Sequence, residues 1–235
     1  MDSKLLDIQE NVKYIRNSIN EAAVRSGRSA DAVRFMAVTK TVDPVYINHA
    51  IDCGIDLIGE NKVQEFLGKK DELKLEKVEK HLIGHLQSNK VRKIITEVDL
   101  IQSVDSVSLA REIERQAEKN NMQAEILVEI NVGDEASKTG LDKSLLQETI
   151  CEIASMKHIF IKGLMTIPPI CENKGELRKF FDEMYNLFID IGAQKIDNVS
   201  MDILSMGMSG DYEEAILCGS NLVRVGSAIF GPRIY

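Results

Sequence analysis

From Arg34 onward one pattern keeps returning along the chain: a short apolar run, a polar or glycine-containing break, then an amphipathic stretch with helical spacing. The runs cover 35–38, 57–58, 81–83, 100–101, 126–130, 159–165, 199–204 and 222–225. Runs this short, with no alternation of polar and apolar residues, belong to strands covered on both faces, as in a parallel sheet. Parallel neighbours need a return crossover, and helical stretches at 44–53, 61–73, 106–119, 143–156 and 175–191 supply it. About eight such units close a (β/α)8 barrel, so the expected fold is α/β, a single TIM barrel. The rival, an open doubly wound sheet, normally carries a glycine-rich first turn; here that turn is Thr39-Lys40-Thr41-Val42-Asp43, without glycine.

No linker or repeat divides the chain, and its 235 residues suit one barrel, so residues 1–235 are expected to form one domain. Ahead of the first strand, Leu5, Ile8, Val12, Ile15, Ile19 and Ala22 recur at steps of three and four, which predicts an additional N-terminal helix within 1–27, ending near Gly27. It reads as a cover helix packed on its own barrel. The polar run 69–80 alternates acids and bases and reads as a solvated helix end and loop.

Charge and cysteine usage exclude several classes of function. The net charge of -8 argues against broad nucleic-acid binding, which shows a basic surplus. Cys53, Cys151, Cys171 and Cys218 are far apart, with no Cys-x-x-Cys pair, so neither a metal site nor a disulfide framework is expected. No apolar run is long enough to cross a bilayer and the N-terminus has no apolar signal core, which points to the cytoplasm and away from membranes.

In a barrel the loops after the strands share one rim, and active sites are built there. Lys40 follows the first run. An ammonium at the lip of a core must reach solvent or lose its proton, so this lysine is either a solvated strand end or a neutral nucleophile. Asn61 follows the second run, His85 the third, and Gln102-Ser103 the fourth. After the seventh, Ser205-Met206-Gly207-Met208-Ser209-Gly210 leads into a helix-like 211–217, and Gly226-Ser227 follows the eighth. Loops after strands seven and eight are the frequent phosphate site of such barrels, and glycines with backbone amides suit an anion. A plain serine cap beside Asp211 and Glu213 is the competing reading of the first loop. Arg224 stands inside the apolar run Leu222-Val223-Arg224-Val225. A guanidinium there needs a buried partner, either a bound anion or acceptor or an ion pair with Asp202 or Glu129.

With these residues in view, several segments together resemble the pyridoxal phosphate homeostasis family (YggS/PROSC type), relatives of the alanine racemase N-terminal barrel. They are Ala37-Val-Thr-Lys40, Gly59-Glu-Asn61 with Val63-Gln-Glu65, His81-Leu-Ile-Gly-His-Leu-Gln-Ser-Asn-Lys90, Gly163-Leu-Met165, Leu204-Ser-Met-Gly-Met-Ser209, and Gly219-Ser220 with Val223-Arg-Val-Gly226 through Gly231. Asn221, Val225 and Ser227 are small departures from the familiar pattern.

The resemblance implies a barrel that holds pyridoxal 5′-phosphate (PLP) as a Schiff base on Lys40. Its phosphate would rest on Ser209, Gly226 and Ser227, with Arg224 facing the pyridine nitrogen and Asn61, His85 and Met206 lining the ring. The implied role is buffering and delivery of PLP to PLP-dependent apo-enzymes by a cytoplasmic monomer, with no catalytic residues assigned. The alternative is an amino-acid racemase of the alanine racemase type. An arginine at the ring nitrogen keeps that nitrogen unprotonated and weakens the ring as an electron sink, which favours the carrier. Racemisation also wants an acid/base on each face; related racemases take the second from a β domain, and this sequence ends at Tyr235.

Overall fold

A computed structural model describes residues 3–133, 139–171 and 173–232. The eight runs become β1 (Arg34–Val38), β2 (Leu57–Glu60), β3 (Glu79–Leu82), β4 (Leu100–Val104), β5 (Ala124–Ile130), β6 (Ile159–Thr166), β7 (Val199–Met208) and β8 (Leu222–Val225). They close into a barrel in chain order. All neighbours are parallel, and β1 pairs with β8 through Arg34↔Leu222 to Ala37↔Val225. This is the (β/α)8 TIM barrel with an N-terminal helix.

The helices are α1 (Ser3–Arg25), α2 (Pro44–Asp52), α3 (Val63–Lys69), α4 (Ser88–Ile94), α5 (Val107–Lys119), α6 (Leu146–Ala154), α7 (Lys174–Ala193), α8 (Tyr212–Leu217) and α9 (Ser227–Phe230). Asp43 caps α2 by accepting from the Val45 amide, and Pro44 occupies the first turn, where its missing N–H costs nothing. Gly27, at φ +79°, ends the chain's first helical segment in a conformation only glycine adopts readily.

The barrel wall separates two apolar layers. Met36, Val38, Leu57, Ile83, Leu100, Leu127, Met165, Ile203 and Leu222 fill its interior, while a larger cluster lies between wall and helices. Ile8, Val12, Ile15, Ile19 and Ala22 of α1 all join that outer layer, so the helical stripe is a core-facing stripe. α1 packs on α8 and α9. Asn11 donates to the Ile229 carbonyl (3.1 Å), and the Tyr212 hydroxyl donates to Ser18 Oγ (3.1 Å). Arg28, just beyond α1, donates to the carbonyls of Ile216, Gly219 and Ser220. The cover helix thereby braces the two short helices that flank the rim turns after β7 and β8.

The end of β7 departs from its sequence reading. Residues 205–208 read as loop, yet they continue β7, which pairs with β8 through Ser205↔Leu222 and Met208↔Arg224. The register shifts between those pairs, and Gly207 at φ +95° takes up the irregularity.

Candidate functional site

Lys40 leaves the C-terminal end of β1 half-buried, and the backbone on both sides of it is pinned. Thr39 N donates to Gly59 O (3.0 Å) and Thr39 Oγ1 to Glu60 Oε1 (2.5 Å). Lys69 Nζ donates to Thr39 O (2.8 Å), and Glu65 Oε1 accepts from the Thr41 amide. Lys69 also pairs with Glu60 (2.5 Å) and Glu65 (3.1 Å). Glu60 and Lys69 are both buried, at 1% and 8% exposure, so this pair is shielded from screening water. Burial pushes the Glu60 carboxyl above its usual range, while Lys69 and the Thr39 hydroxyl pull it back. The sequence reading singled out Glu60 and Glu65 only as motif members and gave Lys69 no role. Its position one turn after Glu65, facing the end of β2, was the available signal.

Lys40 lines a cavity of about 300 Å³ together with Val38, Asn61, Ile83, Ile167, Met208, Ser209, Gly210, Arg224, Gly226 and Ser227. Six of the eight residues singled out in the sequence therefore meet here: Lys40, Asn61, Ser209, Arg224, Gly226 and Ser227. Asn61 Oδ1 is buried without a hydrogen-bond partner, an unsatisfied acceptor on a residue that lines this cavity. Gly226 N (3.2 Å) and Ala228 N (3.3 Å) both donate to Ser209 Oγ, so the turns after β7 and β8 already converge on one oxygen. A Cβ on Gly226 would sit 3.3 Å from the Val38 carbonyl, which keeps this approach close.

The other two singled-out residues lie elsewhere. His85 has a side chain 53% exposed, with Nδ1 3.6 Å from Asp105, and stands on the rim outside the cavity lining. Met206 is fully buried in the layer between wall and helices. Its neighbour Ser205 takes the inward position, and beyond the irregularity at Gly207 the side chain that reaches the cavity is Met208.

Arg224 is 3% exposed and donates to Ser205 Oγ (2.6 Å) and the Thr166 carbonyl (2.8 Å). Both are neutral acceptors. Asp202 is committed instead to Lys162 (2.7 Å), and Glu129 accepts from Thr139 (3.0 Å). Burial draws the guanidinium down to about 10, against the opposing pull of Glu129 and Asp211, so it remains charged at neutral pH. A buried cation with neutral partners suits a ligand atom that accepts a hydrogen bond without carrying a full charge.

Among the described residues no cluster of three metal-ligating side chains occurs, no helix is long and apolar enough to cross a membrane, and Cys53, Cys151, Cys171 and Cys218 are all free thiols.

The family described as "Alanine racemase, N-terminal domain" matches residues 6–233. The pyridoxal phosphate homeostasis protein of Aquifex aeolicus is 39% identical over 226 residues, covering 96% of this chain and 98% of that protein. Its namesake in Escherichia coli (strain K12) is 36% identical over 232 residues, covering 97% and 98%. Among solved structures, PipY of Synechococcus elongatus PCC7942 with PLP bound superposes with a TM-score of 0.80 at 31% identity, covering 91% of this chain and 99% of that one. Alanine racemase of Corynebacterium glutamicum gives a TM-score of 0.71 at 14% identity. The overlap spans 98% of this chain but 62% of the racemase, a likeness of fold alone.

Proposed function

The chain belongs to the pyridoxal phosphate homeostasis proteins, within the family of the alanine racemase N-terminal domain, and from that premise we propose that it binds PLP and serves its intracellular homeostasis as a carrier. The observation that carries the reading is the convergence of Lys40, Arg224 and the Ser209–Gly226 amide cradle on one cavity. When bound, the cofactor supplies an aldehyde for capture by an amine and a ring that can withdraw electrons.

The residues present fit that group. Lys40 Nζ offers the amine, on a backbone held rigid by Thr39, Glu60, Glu65 and Lys69. Gly226 and Ala228 offer amide donors, and the Ser209 and Ser227 hydroxyls stand beside them for a phosphate. Arg224 would donate toward the ring nitrogen, and an arginine there keeps that nitrogen unprotonated. Asn61 Oδ1, otherwise orphaned, would accept from the ligand. Val38, Ile83, Ile167 and Met208 would give the ring apolar walls and limit water at Lys40.

Carriage fits this lining better than racemisation. Among the described residues the cavity holds two ionisable side chains, Lys40 and Arg224, so one amine is available for proton transfer and no second acid/base faces it. As part of the same reading residues 1–235 act as one PLP-binding unit, a cytoplasmic monomer that hands PLP to apo-enzymes. Light scattering at twice 26.3 kDa would overturn the monomer.

The test pairs two assays on purified, PLP-loaded protein: transfer of PLP to an apo-aminotransferase, and racemisation of amino acids. Transfer without turnover is expected. Robust racemisation that disappears in Lys40→Ala would make the protein an enzyme and refute the carrier.

A further inference from the structure

A line of polar side chains crosses the largely apolar barrel interior. Arg224 Nη1 donates to Ser205 Oγ (2.6 Å), and Ser205 Oγ donates to Gln102 Oε1 (2.7 Å). Gln102 Nε2 lies 2.8 Å from His81 Nδ1, and His81 Nε2 lies 2.5 Å from Glu79 Oε1. Arg34 closes the far end, with Nη2 2.6 Å from Glu79 Oε2. Arg224 sits near the rim that holds Lys40, whereas Glu79 and Arg34 are the first residues of β3 and β1, at the opposite mouth. The line therefore spans the barrel.

Its direction is fixed by its ends. A guanidinium only donates and a carboxylate only accepts. An amide nitrogen facing His81 Nδ1 forces that atom to accept, so the ring proton sits on Nε2 and points at Glu79. Every bond then runs the same way, donor to acceptor, from Arg224 to Glu79. Burial holds the His81 imidazole below its usual pKa, which keeps it neutral, and the bond from His81, with Arg34 behind it, draws Glu79 down to about 2. His81, Gln102 and Ser205 are each at most 1% exposed, in an interior where Leu100, Leu127 and Ile203 show that apolar residues fill the space. Buried polar groups of this kind impose a cost unless every member is satisfied, and satisfied networks fix a single geometry.

We propose that Glu79, His81 and Gln102 are positioning residues for the cofactor. Through a one-way hydrogen-bond chain across the barrel they hold Arg224 in the orientation that meets the ring nitrogen, with Glu79 as the terminal acceptor of the chain. The role in cofactor binding rests on the PLP reading above; the hold on Arg224 does not. Without the chain, Ser205 Oγ could turn its proton elsewhere, and the guanidinium would keep Thr166 O as its one fixed acceptor.

The experiment has two arms and uses Glu79→Gln, His81→Phe and His81→Asn, with thermal unfolding to confirm that each variant folds. Glu79→Gln sits at a half-exposed mouth and keeps the shape of the side chain. In cofactor-free protein, nitrogen-resolved NMR reads the His81 tautomer and the hydrogen exchange of the Arg224 guanidinium. The wild type is expected to show Nε2–H and slow exchange. Glu79→Gln and His81→Phe should speed that exchange about tenfold, the effect of losing roughly one hydrogen bond to a charged group. His81→Asn, whose amide oxygen can replace Nδ1 as acceptor for Gln102, should recover part of the protection.

In PLP-loaded protein, the same two variants should shift the near-visible absorption band and release PLP about tenfold faster, by the same conversion. A His81 proton on Nδ1, or Arg224 exchange unchanged in both variants, overturns the chain. Unchanged band and release rate with altered exchange overturn its role at the cofactor. A wild type that takes up no PLP refutes the functional reading instead, and the cofactor-free arm still decides the chain.

Discussion

Lys69→Met removes the cation that neutralises Glu60 behind the Lys40 strand end. Lys69 Nζ makes three close contacts, to Glu60 Oε1 (2.5 Å), Thr39 O (2.8 Å) and Glu65 Oε1 (3.1 Å). Methionine keeps most of the buried stem and loses all three. Breaking a buried pair by deleting one partner costs about 3–5 kcal/mol, because the survivor is a buried, uncompensated charge. Glu60 Oε2 already has no partner, so the neutral Thr39 hydroxyl on Oε1 is the contact left to offset the loss. The escape is protonation, which for a carboxyl of ordinary pKa costs about 5 kcal/mol at pH 8 and roughly 1.6 kcal/mol at pH 5.5.

The pH dependence has a definite sign. Burial already raises the folded pKa of Glu60, and deleting Lys69 raises it further by removing the strongest opposing influence. The folded variant then binds a proton that the unfolded chain has released. Its stability therefore falls as pH rises through the window between the ordinary carboxylate value and the raised one. Urea denaturation should show a deficit against wild type of about 3–5 kcal/mol at pH 8, shrinking by roughly half at pH 5.5. Adding Glu60→Gln should restore about 2 kcal/mol or more at pH 8, the coupling expected of a contacting pair. Bound PLP should also leave faster, since Thr39 O is no longer tied. A deficit under about 1 kcal/mol at pH 8, or one independent of pH, would mean that Lys69 does not neutralise Glu60.

Three further outcomes follow from the same contacts. Arg224→Gln leaves a neutral side chain in a place built for a donor; it should shift the near-visible band and weaken PLP binding about tenfold, measured by spectrophotometric titration. Ser209→Ala removes the oxygen on which the Gly226 and Ala228 amides converge and should weaken PLP about tenfold, while pyridoxal without phosphate loses much less. Gly163→Ala would place a Cβ 1.9 Å from the Ile203 carbonyl at φ +151°, on the irregular β6–β7 pairing, and should lower stability by roughly 3 kcal/mol or yield insoluble protein, seen in thermal melts and expression.

Most of the barrel was legible because parallel strands covered on both faces leave unbroken apolar runs, and eight of them leave little choice of topology. Strand ends were less legible. β4 runs on through Gln102 and Ser103, and β3 starts at Glu79, because polar side chains that satisfy one another inside the barrel look like loop residues in sequence. α4 was missed, since seven residues with two buried positions carry almost no periodicity. The turns after β7 and β8 line one cavity with Lys40, but the irregularity at Gly207 changes which side chains face inward, and that put Met208 rather than Met206 there. Arg224 called for a buried partner, with Asp202 and Glu129 as ion-pair candidates. The structure gives it Ser205 and Thr166 O, because Lys162 on the neighbouring strand claims Asp202. His81 and Gln102 entered only as a motif member and a rim residue; their link is between strands, and no single-strand pattern reports it.

Borohydride reduction of the PLP-loaded protein, followed by peptide mapping, reads the point of attachment itself. The reduced cofactor is expected on Lys40, and Lys40→Ala should carry none. Fixation on another lysine in the wild type, or a reducible linkage surviving in Lys40→Ala, would rule out Lys40 as the tether.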